Sequence, residues 1–319
     1  MGDIKVTDLA TGMEIKKQLF VLWNSEHRKA SNNKYYMDFM FKDQTGEING
    51  KKWDADPNEG SQYETGVLYY ITGRVTEFQG NLQLNVSYIT KAPEEIQKRI
   101  ADFVPSAPFP SEDMYKKALT YIENIKDEQL RRLCYMVYRQ YEEQLMYYPA
   151  AKVLHHSVRG GFLYHITTML DVAKALSAVY KEINTDILYT GILLHDIMKL
   201  REMDSNELGI VTDYSVEGQL MGHIEIGICY IGEMAKKAGL SENKELLIKH
   251  MILSHHNIPE HGSTKMPMFL EAELLHHIDL MDARVFDFNN AYETLEKGAI
   301  SERIVYSLER RVIRPDFDK

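Results

Sequence analysis

Between residues 14 and 91 the apolar positions fall in short segments rich in β-branched and aromatic residues: QLFVLWNSEHRK, KYYMDFMFKD, GEINGKKWD, GVLYYITGRVTEF and NLQLNVSYITKA. Such segments predict strands. Asp43-Gln44-Thr45-Gly46 and Gln79-Gly80-Asn81 fit hairpin connections, and Pro57 to Thr65 leaves room for a short helical link. From Pro93 the pattern lapses. Pro105, Pro108 and Pro110 cannot continue a helix, so the stretch ending there reads as a stiff linker. From Ser111 the period becomes helical, with spans expected near 111–126, 127–147, 161–181, 184–199, 215–239, 242–257 and 268–297. No internal repeat or low-complexity segment is present.

The change of period divides the chain into an all-β domain over 1–92, a linker over 93–110 and an all-α domain over 111–319. Five strands with a helical link after the third is the layout of the OB-fold, a small partly open barrel. A generic small β-barrel with no ligand satisfies the same pattern, and the strands alone do not separate the two.

Composition narrows the functional classes. The chain has 319 residues and a formal net charge of −10, which argues against attachment to nucleic acid through a broad basic surface. Residues 1–110 carry 13 Lys and Arg against 15 Asp and Glu, whereas the remainder carries 24 against 32. The acidic excess therefore lies mostly in the helical part. Cys134 and Cys229 are isolated and suggest neither a disulfide framework nor a thiolate metal site, as expected of a reducing cytoplasm. The first residues hold no apolar leader-like run, and no apolar run is long enough to span a membrane. A cytoplasmic location is the expectation.

The helical part contains the most informative pattern: His165 in GGFLYHITTML, His195-Asp196 in GILLHDIMKL, His223 in MGHIEIG, His255-His256 in ILSHHN and Asp279 in HHIDLMD. Buried imidazoles and carboxylates are costly unless paired or metal-bound, so their recurrence on apolar helices asks for a shared partner. A divalent cation supplies one. Nitrogen and oxygen ligands without thiolate suit first-row ions such as manganese, iron, cobalt or zinc better than copper(I) or calcium, and manganese is the first choice among them. His155 and His156 precede the Gly-Gly turn before His165, which would place one of them at the mouth of the cleft in contact with substrate. His27, His250, His261, His276 and His277 read as surface or packing residues.

This order of residues resembles the HD superfamily of metal-dependent phosphohydrolases, in which His, His-Asp, two further histidines and Asp follow one another. The resemblance implies two divalent ions, one held by His165, His195, Asp196 and Asp279, the other by Asp196, His223 and His255. Two such ions lower the pKa of a shared water and clamp both oxygens of an in-line phosphoryl displacement. His256 is then expected beside the ligands or facing substrate. Lys199 stands where the superfamily often has the lysine of His-Asp-x-Gly-Lys and would neutralise phosphoryl charge, although Met198 replaces the glycine.

An N-terminal OB-like barrel joined to such a domain, with HHSVRGGFLYHITTML, EGQLMGHIEIG and EAELLHHIDLMDAR, is similar to the YhaM family of 3′-to-5′ exoribonucleases. That similarity implies removal of 5′-mononucleotides from single-stranded RNA, with single-stranded DNA also open as substrate. A homo-oligomer is compatible with it. OB-folds stack bases on aromatics while basic residues follow the backbone. Tyr36, Phe39, Phe41, Lys51, Lys52, Trp53 and Arg74 are the expected strand contacts, although alternation puts Phe39 and Phe41 on one face and Tyr36 on the other. Competing readings are a hydrolase of a small nucleotide or cyclic dinucleotide, a di-iron oxygenase with the same ligands, and a non-catalytic single-strand binder.

Overall fold

The computed structural model describes residues 4–30, 33–56, 59–97, 99–152, 156–258 and 263–317. Pro57, His155 and His261 lie outside them. The chain divides into two compact units, residues 1–106 and 107–319.

The first unit is a closed five-stranded barrel of β1 (Glu14–Lys29), β2 (Tyr35–Asp43), β3 (Gly46–Trp53), β4 (Val67–Phe78) and β5 (Asn81–Lys91), ordered β1-β2-β3-β5-β4. β3 and β5 pair in parallel and the other neighbours antiparallel, which is the OB-fold topology. Strict alternation in β2 sends Met37, Phe39 and Phe41 inward, where they pack with Phe20, Leu22, Ile71 and Leu84. A turn of 3₁₀ helix at Glu59–Gln62 occupies the expected link between β3 and β4.

Residues 93–110 do not form one free connector. The short helix α1 (Glu94–Gln97) is tied to the barrel by Gln97, whose amide bonds both backbone groups of Leu68, and Phe103 and Val104 are buried. Residues 107–110 instead belong to the second unit, where the Ala107 N–H donates to the Arg159 carbonyl.

The second unit is helical: α2 (Ser111–Glu123), α3 (Glu128–Gln140), α4 (Glu142–Leu145), α5 (Gly161–Val179), α6 (Thr185–Leu194), α7 (Lys199–Glu202), α8 (Val216–Ala238), α9 (Glu242–Ser254) and α10 (Leu270–Glu293). Side-chain caps start α3 and α6, where Asp127 and Asn184 accept from two backbone N–H groups each. The sequence pattern missed a small hairpin of β6 (Met203–Ser205) and β7 (Val211–Tyr214), too short to show a period. α6 is the axis of this unit. Every residue from Ile187 to Leu194 is buried, and α3, α5, α9 and α10 surround it. Gly191 permits this, because a Cβ there would collide with the Met251 side chain of α9. A helix buried on all sides delivers the residues at its C-terminal end to the middle of the domain. Those residues are His195 and Asp196. No helix among the described residues is long and apolar enough to cross a membrane.

Candidate metal centre and nucleic-acid interface

His195 closes α6 and Asp196 begins the turn into α7. The Nδ1 of His195 lies 2.9 Å from the Ile192 carbonyl, an acceptor only, so this nitrogen carries the proton and Nε2 is left with its lone pair. His255 repeats the device at the end of α9, with Nδ1 2.7 Å from the Ile252 carbonyl. Both rings are buried and present Nε2 to the same space.

His223 reaches that space through a break in α8. Gly222 has φ of 76°, a left-handed conformation that residues with a Cβ rarely adopt, and it interrupts the helix one residue before the histidine. Glu202 at the end of α7 then accepts from both the backbone N–H and the Nδ1 of His223, each at 3.0 Å. Its carboxyl is held below the usual range: burial opposes this, but the His223 contacts outweigh it.

His165 on α5 is fully buried. Its Nδ1 lies 2.7 Å from Asp282 Oδ2 and its Nε2 3.3 Å from Asp279 Oδ1, both carboxylates coming from α10. Burial alone would lower the imidazole pKa, yet the two carboxylates push it up to about 10 in the metal-free protein. Burial likewise opposes ionisation of Asp279 and Asp282, and their histidine partners hold both well below the usual carboxylate range.

Asp196 spans the two groups. Its Oδ2 is 3.3 Å from His195 Nε2, and its Oδ1 is 3.4 Å from His223 Nε2 and 3.6 Å from His255 Nε2. Lys199 Nζ lies 2.7 Å from Oδ2 and is itself buried, so its first partner is Asp196. The carboxyl of Asp196 is held down despite its burial, chiefly by Lys199 and His195. The ligating atoms of His165, His195 and Asp279 lie within 4.8 Å of one another, as do those of His223, His255 and His256.

The fit to a metal rests on unsatisfied atoms. The Nε2 atoms of His195, His223 and His255 and the Oδ1 of Asp196 are buried, make no hydrogen bond and point at one another. Each such atom costs on the order of 1–3 kcal/mol if left so, and neighbouring lone pairs repel. A divalent cation relieves all of them. The clustered His and Asp side chains can therefore hold divalent metal.

One expected placement changes. His156 is not at a cleft mouth: it is buried behind His165, its Nε2 2.8 Å from the same Asp282 oxygen and its ring 4.1 Å from Phe286. His256 stands beside His223 and His255, the three offering nitrogens to one space, and its backbone N–H is held by Ser263 Oγ. Burial, reinforced by His255, keeps its ring neutral down to about 2. Sequence reasoning missed Asp282 and Glu202. Both stand three residues after a residue already singled out, Asp279 and Lys199, and that one-turn spacing was the available signal.

On the barrel the expected contacts sort by face. Phe39 and Phe41 are 1% and 0% exposed, part of the core, so neither can stack on a base. Lys52 pairs with Met37 across the ladder, and its Nζ is 2.6 Å from the buried Glu59, which spends its charge inside. Tyr36, Lys51 and Trp53 face outward. The Lys51 ammonium lies 5.2 Å from the centroid of the Tyr36 ring, 5.7 Å from that of Trp53 and 5.8 Å from that of Phe78, with Trp53 48% and Phe78 57% exposed. Register places Lys51, Asn85 and Arg74 side by side across β3, β5 and β4, and Arg74 is exposed.

Residues 162–284 match the HD domain family and residues 23–92 an OB-fold nucleic acid binding domain family. The chain is 35% identical over 304 residues to the 3′-5′ exoribonuclease YhaM of Halalkalibacterium halodurans, covering 95% of this chain and 94% of that protein. To the YhaM of a Geobacillus species it is 37% identical over 282 residues, 88% of this chain and 86% of that protein. The YhaM of Bacillus subtilis is 34% identical over 302 residues, 95% of each. Similarity at this level over nearly the whole of both chains, with both domains present, means that the chain belongs to the YhaM family of 3′-5′ exoribonucleases.

Proposed function

We propose that the protein removes nucleotides one at a time from the 3′ end of single-stranded RNA, releasing 5′-mononucleotides, with single-stranded DNA as a second substrate. The observation that carries the reading is the convergence of three buried, unsatisfied imidazole nitrogens on the Asp196 carboxylate, His223 and His255 on its unsatisfied Oδ1 and His195 on Oδ2. In this reading His165, His195, Asp196 and Asp279 hold one divalent ion, and Asp196, His223 and His255 hold the other, with His256 within reach of it. Manganese is the first candidate. Two such ions, when bound, activate water and neutralise the charge that develops on the phosphoryl oxygens.

The protein's own groups do the rest. The carbonyls of Ile192 and Ile252 fix His195 and His255 in the tautomer that presents Nε2. Lys199 balances the charge of the buried Asp196 and sets a positive group where it can neutralise the phosphoryl oxygens of substrate. His256, its ring kept neutral by burial, is suited to share a hydrogen bond with substrate. Tyr36, Trp53 and Phe78 form a stacking platform around Lys51, and Arg74 continues the outward cationic row for the phosphate backbone.

The test is a 5′-labelled single-stranded RNA incubated with the protein and Mn²⁺. A descending ladder with 5′-mononucleotide product is expected. Internal cleavage, or turnover of a cyclic dinucleotide with the RNA left intact, would overturn the reading.

A further inference from the structure

The four histidines of the centre are oriented in two different ways. His195 and His255, in the middle, bond Nδ1 to a carbonyl three residues earlier, in the last turn of their own helix. Local backbone sets their tautomer. The two outer histidines instead bond Nδ1 to a carboxylate from another element: His165 of α5 to Asp282 of α10, and His223 of α8 to Glu202 of α7. Both carboxylates are themselves fixed. Asp282 Oδ2 also takes His156 Nε2 at 2.8 Å, and Glu202 Oε1 also takes the His223 backbone N–H that the break at Gly222 releases.

A carboxylate accepting from Nδ1 leaves Nε2 as the ligating nitrogen and makes it a stronger base, because negative charge is fed into the ring. A backbone carbonyl does this less. We infer that Asp282 and Glu202 are positioning residues for opposite halves of a dinuclear centre, each acting through a single histidine, so that the two ions are tuned separately. The inference rests on the two-ion reading above. It also accounts for His156, which anchors Asp282 from behind and never meets substrate.

The experiment is a calorimetric titration of metal-free, full-length protein with MnCl₂, accompanied by electron paramagnetic resonance of the bound manganese. Wild type is expected to take two equivalents and give a spin-coupled signal. Asp282→Asn keeps the shape and removes the charge; it should weaken one equivalent by about tenfold to a hundredfold, leave the other within twofold, and convert the signal to that of isolated Mn²⁺. Glu202→Gln should do the same to the other equivalent, and the pair together should weaken both. In a His165→Ala background Asp282→Asn should add nothing, nor should Glu202→Gln in a His223→Ala background, because a residue that acts through a histidine is silent once that histidine is gone.

Thermal melting of the metal-free variants separates folding from ligation. Should Asp282→Asn fail to fold, Asp282→Glu, which retains the charge, carries the same cycle and should recover most of the lost affinity. Loss of the same equivalent in both variants, or an undiminished effect of Asp282→Asn in the His165→Ala background, would overturn the inference. A wild-type protein that binds fewer than two manganese ions would instead overturn the two-ion reading, whatever the variants do.

Discussion

The two domains treat their polar and aromatic residues in opposite ways. The barrel buries aromatic rings and turns most of its charge outward, and its candidate site is a surface of exposed rings around Lys51. The helical domain buries its charge. Asp196, His165, His195 and His255 are buried in a domain whose core is a single extended apolar cluster among the described residues. Binding a flexible polymer needs groups that water and many bases can reach. Chemistry on a phosphodiester needs groups fixed in advance in a place that water dielectric does not weaken. The comparison predicts which substitutions damage rate and which damage affinity.

The largest effect is expected from Asp196→Ala. It removes the carboxylate lying between both clusters, and hydrolysis should fall at least a thousandfold, on the order of what loss of a major electrostatic element costs. Bound metal measured by emission spectroscopy should fall with it, while circular dichroism stays near wild type. His223→Ala and His255→Ala should each deplete one ion and spare the other. His256→Ala is expected to keep both ions and lose turnover. If His256→Ala loses an ion where His255→Ala does not, the ligand between the two is reversed.

A smaller effect, confined to long substrates, is expected from removing the barrel. A fragment beginning at Ala107 retains every candidate ligand and should hydrolyse a small activated phosphodiester at the full-length rate. Its KM for long single-stranded RNA should rise well over tenfold, since each stacked base is worth about 1–3 kcal/mol. Equal KM for both proteins on long RNA would remove the barrel from substrate binding. Within the full chain, Trp53→Ala should raise KM about tenfold without touching kcat. Phe41→Ala should instead destabilise the barrel by about 3–5 kcal/mol, seen in denaturant unfolding, because that ring lies in the core.

The mildest effect concerns pH. In metal-free protein His165 is pushed up to about 10 from an ordinary value of 6.5, so the folded state binds its proton more tightly than the unfolded chain does. Its contribution to stability is therefore complete below pH 6.5 and disappears as pH rises toward 10. Unfolding midpoints of chelator-treated protein should fall across that interval, and more steeply than those of His165→Gln.

Much of this division was legible in the sequence. The switch from strand to helical period located both domains, and the spaced His and Asp motifs marked the residues that fold into one cluster. Alternation in β2 correctly set Phe39 and Phe41 against Tyr36. It could not say which face was inside, because both faces of that strand carry aromatics and burial is decided by neighbouring strands. Lys51 and Lys52 posed the same problem, resolved by Glu59, a partner outside the strand. Asp282 and Glu202 were hidden for another reason. A carboxylate one turn from a helical ligand looks like any solvated face until the opposing helix supplies its histidine.

The break at Gly222 has a practical consequence. In the unbroken turns of α8 beyond its N-terminal cap, amide protons belong to the helix ladder and exchange with solvent only when the helix opens. The His223 amide is bonded to the Glu202 carboxylate instead, and the same oxygen orients the ring. Its proton resonance should stand apart from its neighbours and shift when metal draws on the imidazole. One backbone amide therefore serves as a built-in gauge of site occupancy, readable by nuclear magnetic resonance of isotope-labelled protein titrated with a diamagnetic ion such as Zn²⁺.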